Sequence, residues 1–106
     1  MRRPGVTAVD VDFLARCGYS ADLSNAICDR TMFHADNAYF YPAARIATRR
    51  LRTNTVSNTA FRGFGGPQGM LFAERLMEVI AIRTGQDPLD VRKANLYGVK
   101  GSVTPY

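Results

Sequence analysis

The sequence predicts an α+β fold of about two strands and three helices that do not enclose a complete core by themselves. Three observations carry this reading. The segments Val9–Arg16 and Ala44–Arg52 alternate with the period of a half-buried strand. Phe72, Leu76, Val79 and Ile80 recur at helical spacing. Pro67 and the pair Asp87-Pro88 stand where helices begin, and Gly85 stands where one ends.

In the first strand, Val9, Val11, Phe13 and Ala15 point to one side, with Asp10, Asp12, Leu14 and Arg16 on the other. Gly18-Tyr19-Ser20 breaks it. Asp22 is placed to cap a helix from about Leu23 to Phe33, with Leu23, Ile27 and Thr31 on one face. Tyr39, Tyr41 and Pro42 suggest extended chain. In the second strand, Ile46, Thr48 and Arg50 face opposite to Ala47, Arg49 and Leu51. Residues Thr53 to Gly66 form a loop rich in Asn, Thr, Ser and Gly. The helix that Pro67 opens carries Glu74, Arg75 and Glu78 off its apolar stripe, as a solvated face. Asp87 caps a third, shorter helix through about Leu96, closed by Gly98 and Gly101, and the tail to Tyr106 shows no periodicity. With no internal repeat and no interior linker, residues 1–106 form one partial domain.

The balance of 46% apolar and 22% charged residues excludes a disordered chain. No apolar run approaches the ~20 residues that cross a bilayer. No hydrophobic stretch follows Met1–Gly5, so no secretory signal is expected. Cys17 and Cys28 lack metal-type spacing. They read as reduced core thiols of a cytoplasmic protein, with a disulfide as the alternative. His34 is the only histidine and suits a hydrogen-bonded structural role, not a metal site. The net charge is +5, with arginines clustered at Arg45, Arg49, Arg50 and Arg52. That run suits a nucleic-acid surface, the solvated face of a strand, or a surface meeting an acidic partner. No aromatic interleaving accompanies it, so a small basic nucleic-acid-binding protein is the alternative reading and not the leading one.

The most informative stretch is Asn58-Thr59-Ala60-Phe61-Arg62-Gly63-Phe64-Gly65-Gly66-Pro67-Gln68. Three glycines leave the backbone unobstructed just before a helix N-terminus, where amide donors and the helix dipole favour anions. Arg62 adds a planar charged fork, and Phe61 and Phe64 add faces for stacking. From the residues alone, Arg62 in a salt bridge and Phe64 in a core is the favoured reading, with ligand contacts as the alternative. Gln68 either donates to a ligand or caps its helix.

Several blocks together resemble the molybdenum-binding subunits of the xanthine dehydrogenase and aldehyde oxidase family. They are Arg16-Cys17-Gly18-Tyr19-Ser20, the run from Asp29 to Tyr39 that contains Phe33-His34-Ala35-Asp36-Asn37, Leu51-Arg52-Thr53-Asn54-Thr55, and the glycine-rich stretch from Ser57 to Gln68. Asp87-Pro88-Leu89-Asp90-Val91-Arg92 and Asn95-Leu96-Tyr97 complete the set. The resemblance implies a partial molybdopterin-binding domain and a molybdenum–molybdopterin cofactor contacted by Arg62. It implies a purine substrate, hypoxanthine or xanthine, with Phe64 stacking on its ring and Arg30 contacting its oxygen. Related aldehyde oxidases usually lack an arginine at the Arg30 position. The family's general-base glutamate and a second substrate-contacting glutamate match no residue here, so the resemblance places no catalytic residue and no metal ligand in this chain. It implies as partners the rest of the molybdenum subunit and iron–sulfur (2Fe–2S) and FAD modules, and it reads the chain as an internal fragment, inactive in isolation.

Overall fold

The computed structural model describes residues 5–98. The elements run β1 (Ala8–Gly18), α1 (Ser24–Phe33), β2 (Ala43–Arg52), α2 (Gly66–Thr84) and α3 (Pro88–Asn95). The predicted two strands and three helices are all present. β1 and β2 pair in parallel, from Ala8 opposite Ala43 to Gly18 opposite Arg52, with a bulge between Arg16 and Gly18. A parallel pair cannot be closed by a tight turn, and α1 supplies the crossover.

Val9, Val11, Phe13 and Ala15 form the half-buried side of β1, as the alternation predicts. Phe13 meets Phe72 of α2 edge to face, ring centroids 4.9 Å apart. β2 departs from its predicted alternation, because Ile46, Ala47 and Thr48 are all half-buried. The strand is covered by α1 on one face, and strands of parallel pairs bury both sides.

The start of α1 also differs. Asp22 takes a left-handed turn conformation, φ 41°, and makes no cap. Leu23 occupies the capping position without a side-chain hydrogen bond. The buried face consists of Ser24 and Cys28, one position round from the predicted Leu23, and Leu23 is exposed. In α2 the buried spine is Gly66, Gly69, Ala73, Met77 and Ala81. The predicted Phe72, Leu76 and Ile80 flank it half-buried, and Val79 turns outward. Small residues let neighbouring backbones approach, so the tightest packing follows them and not the larger side chains.

The ends of α2 and α3 follow the sequence signals. Gly85 closes α2 in the left-handed conformation. The Asp87 carboxylate accepts from the amides of Leu89 and Asp90 at 2.8 and 3.2 Å. Gly101 and the C-terminal tail lie outside the described residues. Tyr39, Tyr41, Ala73, Met77, Ala81 and Val91 form the core, with Val6, Val9, Leu76 and Ile80 packed on it. It sits between α2, α3 and the segment before β2, and not under the sheet. The segment is pinned there by Phe40 N–H donating to the Asn95 carbonyl and Tyr97 N–H donating to the Ala38 carbonyl, at 2.8 and 3.0 Å. Cys17 and Cys28 are free and buried, as predicted.

The molecule is elongated, 52 × 30 × 23 Å, with a radius of gyration of 15.7 Å. A compact domain of about 100 residues has about 13 Å. Leu14, Phe33, Phe61, Leu71 and Ile82 are largely exposed, and among the described residues each strand has one unpaired edge. A two-stranded sheet with so little cover is marginal. The isolated 106-residue chain is therefore expected to be molten or aggregated. Near-UV circular dichroism and a thermal scan check this, and a sharp cooperative transition from a monomer would contradict it.

Candidate functional site

The N-terminus of α2 is pressed onto the last two turns of α1. A Cβ on Gly65 would lie 2.2 Å from the Ile27 carbonyl oxygen, and one on Gly69 would lie 2.4 Å from that of Thr31. Only glycine fits either position, and Gly65 also needs its φ of 92°. The Thr31 hydroxyl shares its proton between the carbonyls of Ile27 and Gly65, 3.0 Å from each, and ties the two elements together. This contact carries Arg30, in the last turn of α1, over the start of α2. The position of a Cβ on Gly66 is 3.7 Å from Arg30 Nε and 3.6 Å from His34 Cδ2. His34 Nδ1 donates to the Arg30 carbonyl at 2.9 Å, in agreement with a structural histidine.

The loop entering α2 holds three consecutive left-handed residues, Gly63, Phe64 and Gly65, with φ of 92°, 54° and 92°. For Phe64 this conformation costs about 1–2 kcal/mol, and such strain concentrates at functional sites. Phe64 is half-buried, while Phe61 and Arg62 are exposed. The glycines play a different part from the bare amide cradle that the sequence suggested. Gly63 closes on the Pro67 ring, Gly65 and Gly69 close on α1, and the amides of Phe64 and Gly66 donate to the carbonyls of Phe61 and Gly63. What the corner leaves available is side chains. Arg30 and Arg62 form no ion pair among the described residues. Gln68 makes no cap, and lines a cavity of about 260 Å³ with Phe13, Ile27, Thr31 and Thr48.

Three of the four arginines of β2 are paired within the molecule. Arg45 pairs with Asp10 and Asp12 across the sheet at 2.5 and 3.3 Å, Arg49 reaches Asp12 at 3.8 Å, and Arg50 pairs with Asp29 of α1. The basic run is largely compensated by strand and helix carboxylates, which weighs against a nucleic-acid surface. Among the described residues no group of three His, Cys, Asp or Glu could hold a metal, and no helix is long and apolar enough to cross a membrane.

Glu74 corrects the expectation of a solvated helix face. One carboxylate oxygen accepts from Tyr39 OH at 2.6 Å and Asn37 Nδ2 at 3.1 Å, and the other accepts from Arg92 Nε at 2.8 Å. It joins α2 to the segment before β2 and to α3. The Tyr39 hydroxyl and then Arg92 hold the Glu74 carboxyl below its ordinary value. Burial, followed by the Glu74 hydrogen bond, pushes the Tyr39 hydroxyl up to about 12. Sequence spacing alone carried no sign of this hub, because its partners lie far away along the chain.

The molybdopterin cofactor-binding domain matches residues 2–96. The chain belongs to that family. It is 45% identical over 97 residues to xanthine dehydrogenase/oxidase of Gallus gallus, and 45% identical over 101 residues to xanthine dehydrogenase 1 of Arabidopsis thaliana. These alignments cover 92% and 95% of this chain and 7% of each relative. The fold superposes on aldehyde oxidoreductase from Desulfovibrio gigas with a TM-score of 0.79 at 33% identity, over 93% of this chain and 11% of that one. The molybdopterin-binding family thus accounts for the partial α+β fold, and its relatives are oxidoreductases many times longer than this chain.

Two expectations follow for the full-length protein that carries this chain. Gly69→Ala should destabilise it by about 1–3 kcal/mol, as overpacking against backbone does. Gly66→Ala, whose added methyl meets only ordinary van der Waals contacts, should be tolerated. Chemical denaturation of both variants checks the contrast. For Glu74, a depressed folded-state pKa means stability that is present above the ordinary value of 4.5 and lost as pH falls through the lowered one. Glu74→Gln should therefore speed amide exchange around Tyr39 and Arg92 at neutral pH. The gap from wild type should narrow as the medium is acidified below that range.

Proposed function

We propose that this chain contributes the purine-facing corner of a molybdenum hydroxylase that oxidises hypoxanthine and xanthine. One observation carries the reading. The contact of Gly65 and Gly69 with α1 places Arg30, with no acidic partner, over the turn that holds the strained Phe64. Arg62 extends from the same loop. Two arginines without acidic partners at one strained, glycine-packed corner suit ligands from outside the chain.

Arg62 would hold the molybdenum–molybdopterin cofactor. An exposed guanidinium beside the positive end of α2 fits an anionic group. When bound, that cofactor supplies two-electron oxidation of a substrate carbon. Phe64 offers a flat face to a flat heterocycle. Arg30 donates to the substrate oxygen, and this contact strengthens as negative charge develops on the ring, so it favours the transition state over the ground state. The general base would come from beyond this chain. The partners would be the rest of the molybdenum protein and modules carrying 2Fe–2S clusters and FAD. A cytoplasmic setting fits the reduced Cys17 and Cys28.

Variants of the full-length protein test the three roles. Arg30→Met should lower xanthine turnover ~10²–10³-fold, the usual cost of removing one such donor. Oxidation of a small uncharged aldehyde should fall far less. Phe64→Ala should weaken every flat aromatic substrate, through lost stacking of about 0.5–1.5 kcal/mol and lost burial. Arg62→Ala should lower molybdenum content. Metal content and kcat/KM for both substrates give the answer. Equal slowing of xanthine and aldehyde by Arg30→Met would make Arg30 a structural residue and remove the purine assignment.

A further inference from the structure

His34 is held more firmly than the end of a helix requires. Its backbone N–H donates to the carbonyls of Arg30 and Thr31, at 3.2 and 3.3 Å. A Cβ on Gly69 would lie 2.9 Å from the His34 carbonyl carbon and 3.0 Å from its Cβ, so α2 keeps this stretch of backbone in place. The ring is fixed as well, by the 2.9 Å bond from Nδ1 to the Arg30 carbonyl. A carbonyl oxygen only accepts, so Nδ1 carries the proton and Nε2 carries the lone pair.

The lone-pair edge stands over the same glycine as Arg30. The position of a Cβ on Gly66 is 3.7 Å from His34 Nε2 and 3.7 Å from Arg30 Nε. Nε2 has no hydrogen-bond partner among the described residues. Arg30 is exposed and has no ion pair there, and the adjacent carboxylate of Asp29 is engaged with Arg50. One glycine is thus flanked by a fixed ring and by a long side chain with rotamer freedom to lose. A carboxylate beside Arg30 would order it, but would also take the N–H groups that a substrate needs. The lone pair of an uncharged ring orders the guanidinium and leaves its charge and most of its donors available.

We infer that His34 is a positioning residue for Arg30: its Nε2 lone pair draws the guanidinium over the start of α2 and keeps it there to meet the substrate oxygen. This role rests on the substrate contact proposed for Arg30, and it gives His34 no contact with the substrate. Gly66 permits the arrangement, because with no side chain of its own it lets both groups settle against the helix. The geometry matters because misplacing a reacting contact by about 1 Å can cost ~10²-fold in rate.

The test is steady-state kinetics of the full-length protein with xanthine and with a small uncharged aldehyde, alongside its molybdenum content. His34→Asn keeps a donor for the Arg30 carbonyl but has nothing at the Nε2 position, whereas His34→Gln places an amide oxygen there. His34→Asn should lower kcat for xanthine about tenfold or more, the usual effect of losing a hydrogen bond to a charged group. KM should change less, since the Arg30 contact strengthens in the transition state. Aldehyde oxidation should fall far less, and His34→Gln should restore most of the xanthine rate. Combined with Arg30→Met, His34→Asn should add no further loss, because it acts through Arg30. The positioning role is ruled out if His34→Asn matches the wild type, slows both substrates alike, or adds its full loss to that of Arg30→Met. It is ruled out equally if His34→Gln is no better than His34→Asn, or if both lose molybdenum. Should Arg30→Met itself slow xanthine and aldehyde alike, the purine reading fails and the positioning role with it. A selective Arg30→Met beside unselective His34 variants overturns the positioning role alone.

Discussion

The backbones of α1 and α2 touch where Gly65 and Gly69 meet the carbonyls of Ile27 and Thr31, and the candidate site is arranged around that touch. Larger residues would push α2 away by the thickness of a side chain. Arg30 and His34 would then no longer lie over Gly66, and the Thr31 hydroxyl could not reach both carbonyls that it bridges. The left-handed run through Phe64 belongs to the same constraint, because the chain must turn sharply to deliver Gly65 onto α1. The glycines therefore act by what they allow their neighbours to approach, and the side chains left available at this corner are those of Arg30, Arg62 and Phe64.

Charge is distributed on two plans. Arg45, Arg49, Arg50 and Arg92 are bound to carboxylates of other elements and serve the architecture. Most of these pairs are exposed and contribute little individually. Arg92 differs, since its partner Glu74 also gathers Tyr39 and Asn37, so that one carboxylate fixes three segments. Arg30, Arg52 and Arg62 have no such partners among the described residues. They lie at the two ends of α1 and on the loop before α2, where helix termini already bias the local potential.

Much of the fold was legible because local chemistry decided it. The alternation of β1, the Asp87 cap, Pro67, Pro88 and Gly85 are all short-range signals, and each marks a boundary that the structure keeps. Misreadings arose where distant contacts decided. The buried faces of α1 and α2 shifted toward Ser24, Cys28, Gly69 and Ala73, because backbone proximity outweighed side-chain size. Glu74 looked solvated on its own helix, since Tyr39 and Arg92 approach from other elements. Parallel pairing was likewise invisible, as alternation says which face is buried but not which neighbour lies alongside. Arg62 and Phe64 stood out in the glycine-rich stretch from their chemistry, but the roles expected of them, and the choice of Arg30, came through the family resemblance. Spacing alone could not tell a ligand-binding arginine from one paired to an aspartate.

The parallel arrangement of β1 and β2 also has a kinetic side. Asp10 and its cross-strand partner Arg45 are 35 residues apart, so β1 cannot be paired by β2 until that intervening chain has been made. At synthesis rates of about 5–20 residues per second, the edge of β1 that pairs with β2 waits roughly 2–7 seconds for its partner. During that interval Val9, Val11 and Phe13 form an apolar stripe beside an open edge, the kind of segment that seeks another strand. Asp10, Asp12 and Arg16 alternate with that stripe. Before β2 arrives to neutralise the two aspartates, their charges act as gatekeepers against premature pairing. The carboxylates that later anchor Arg45 thus guard the nascent strand before they stabilise the finished one.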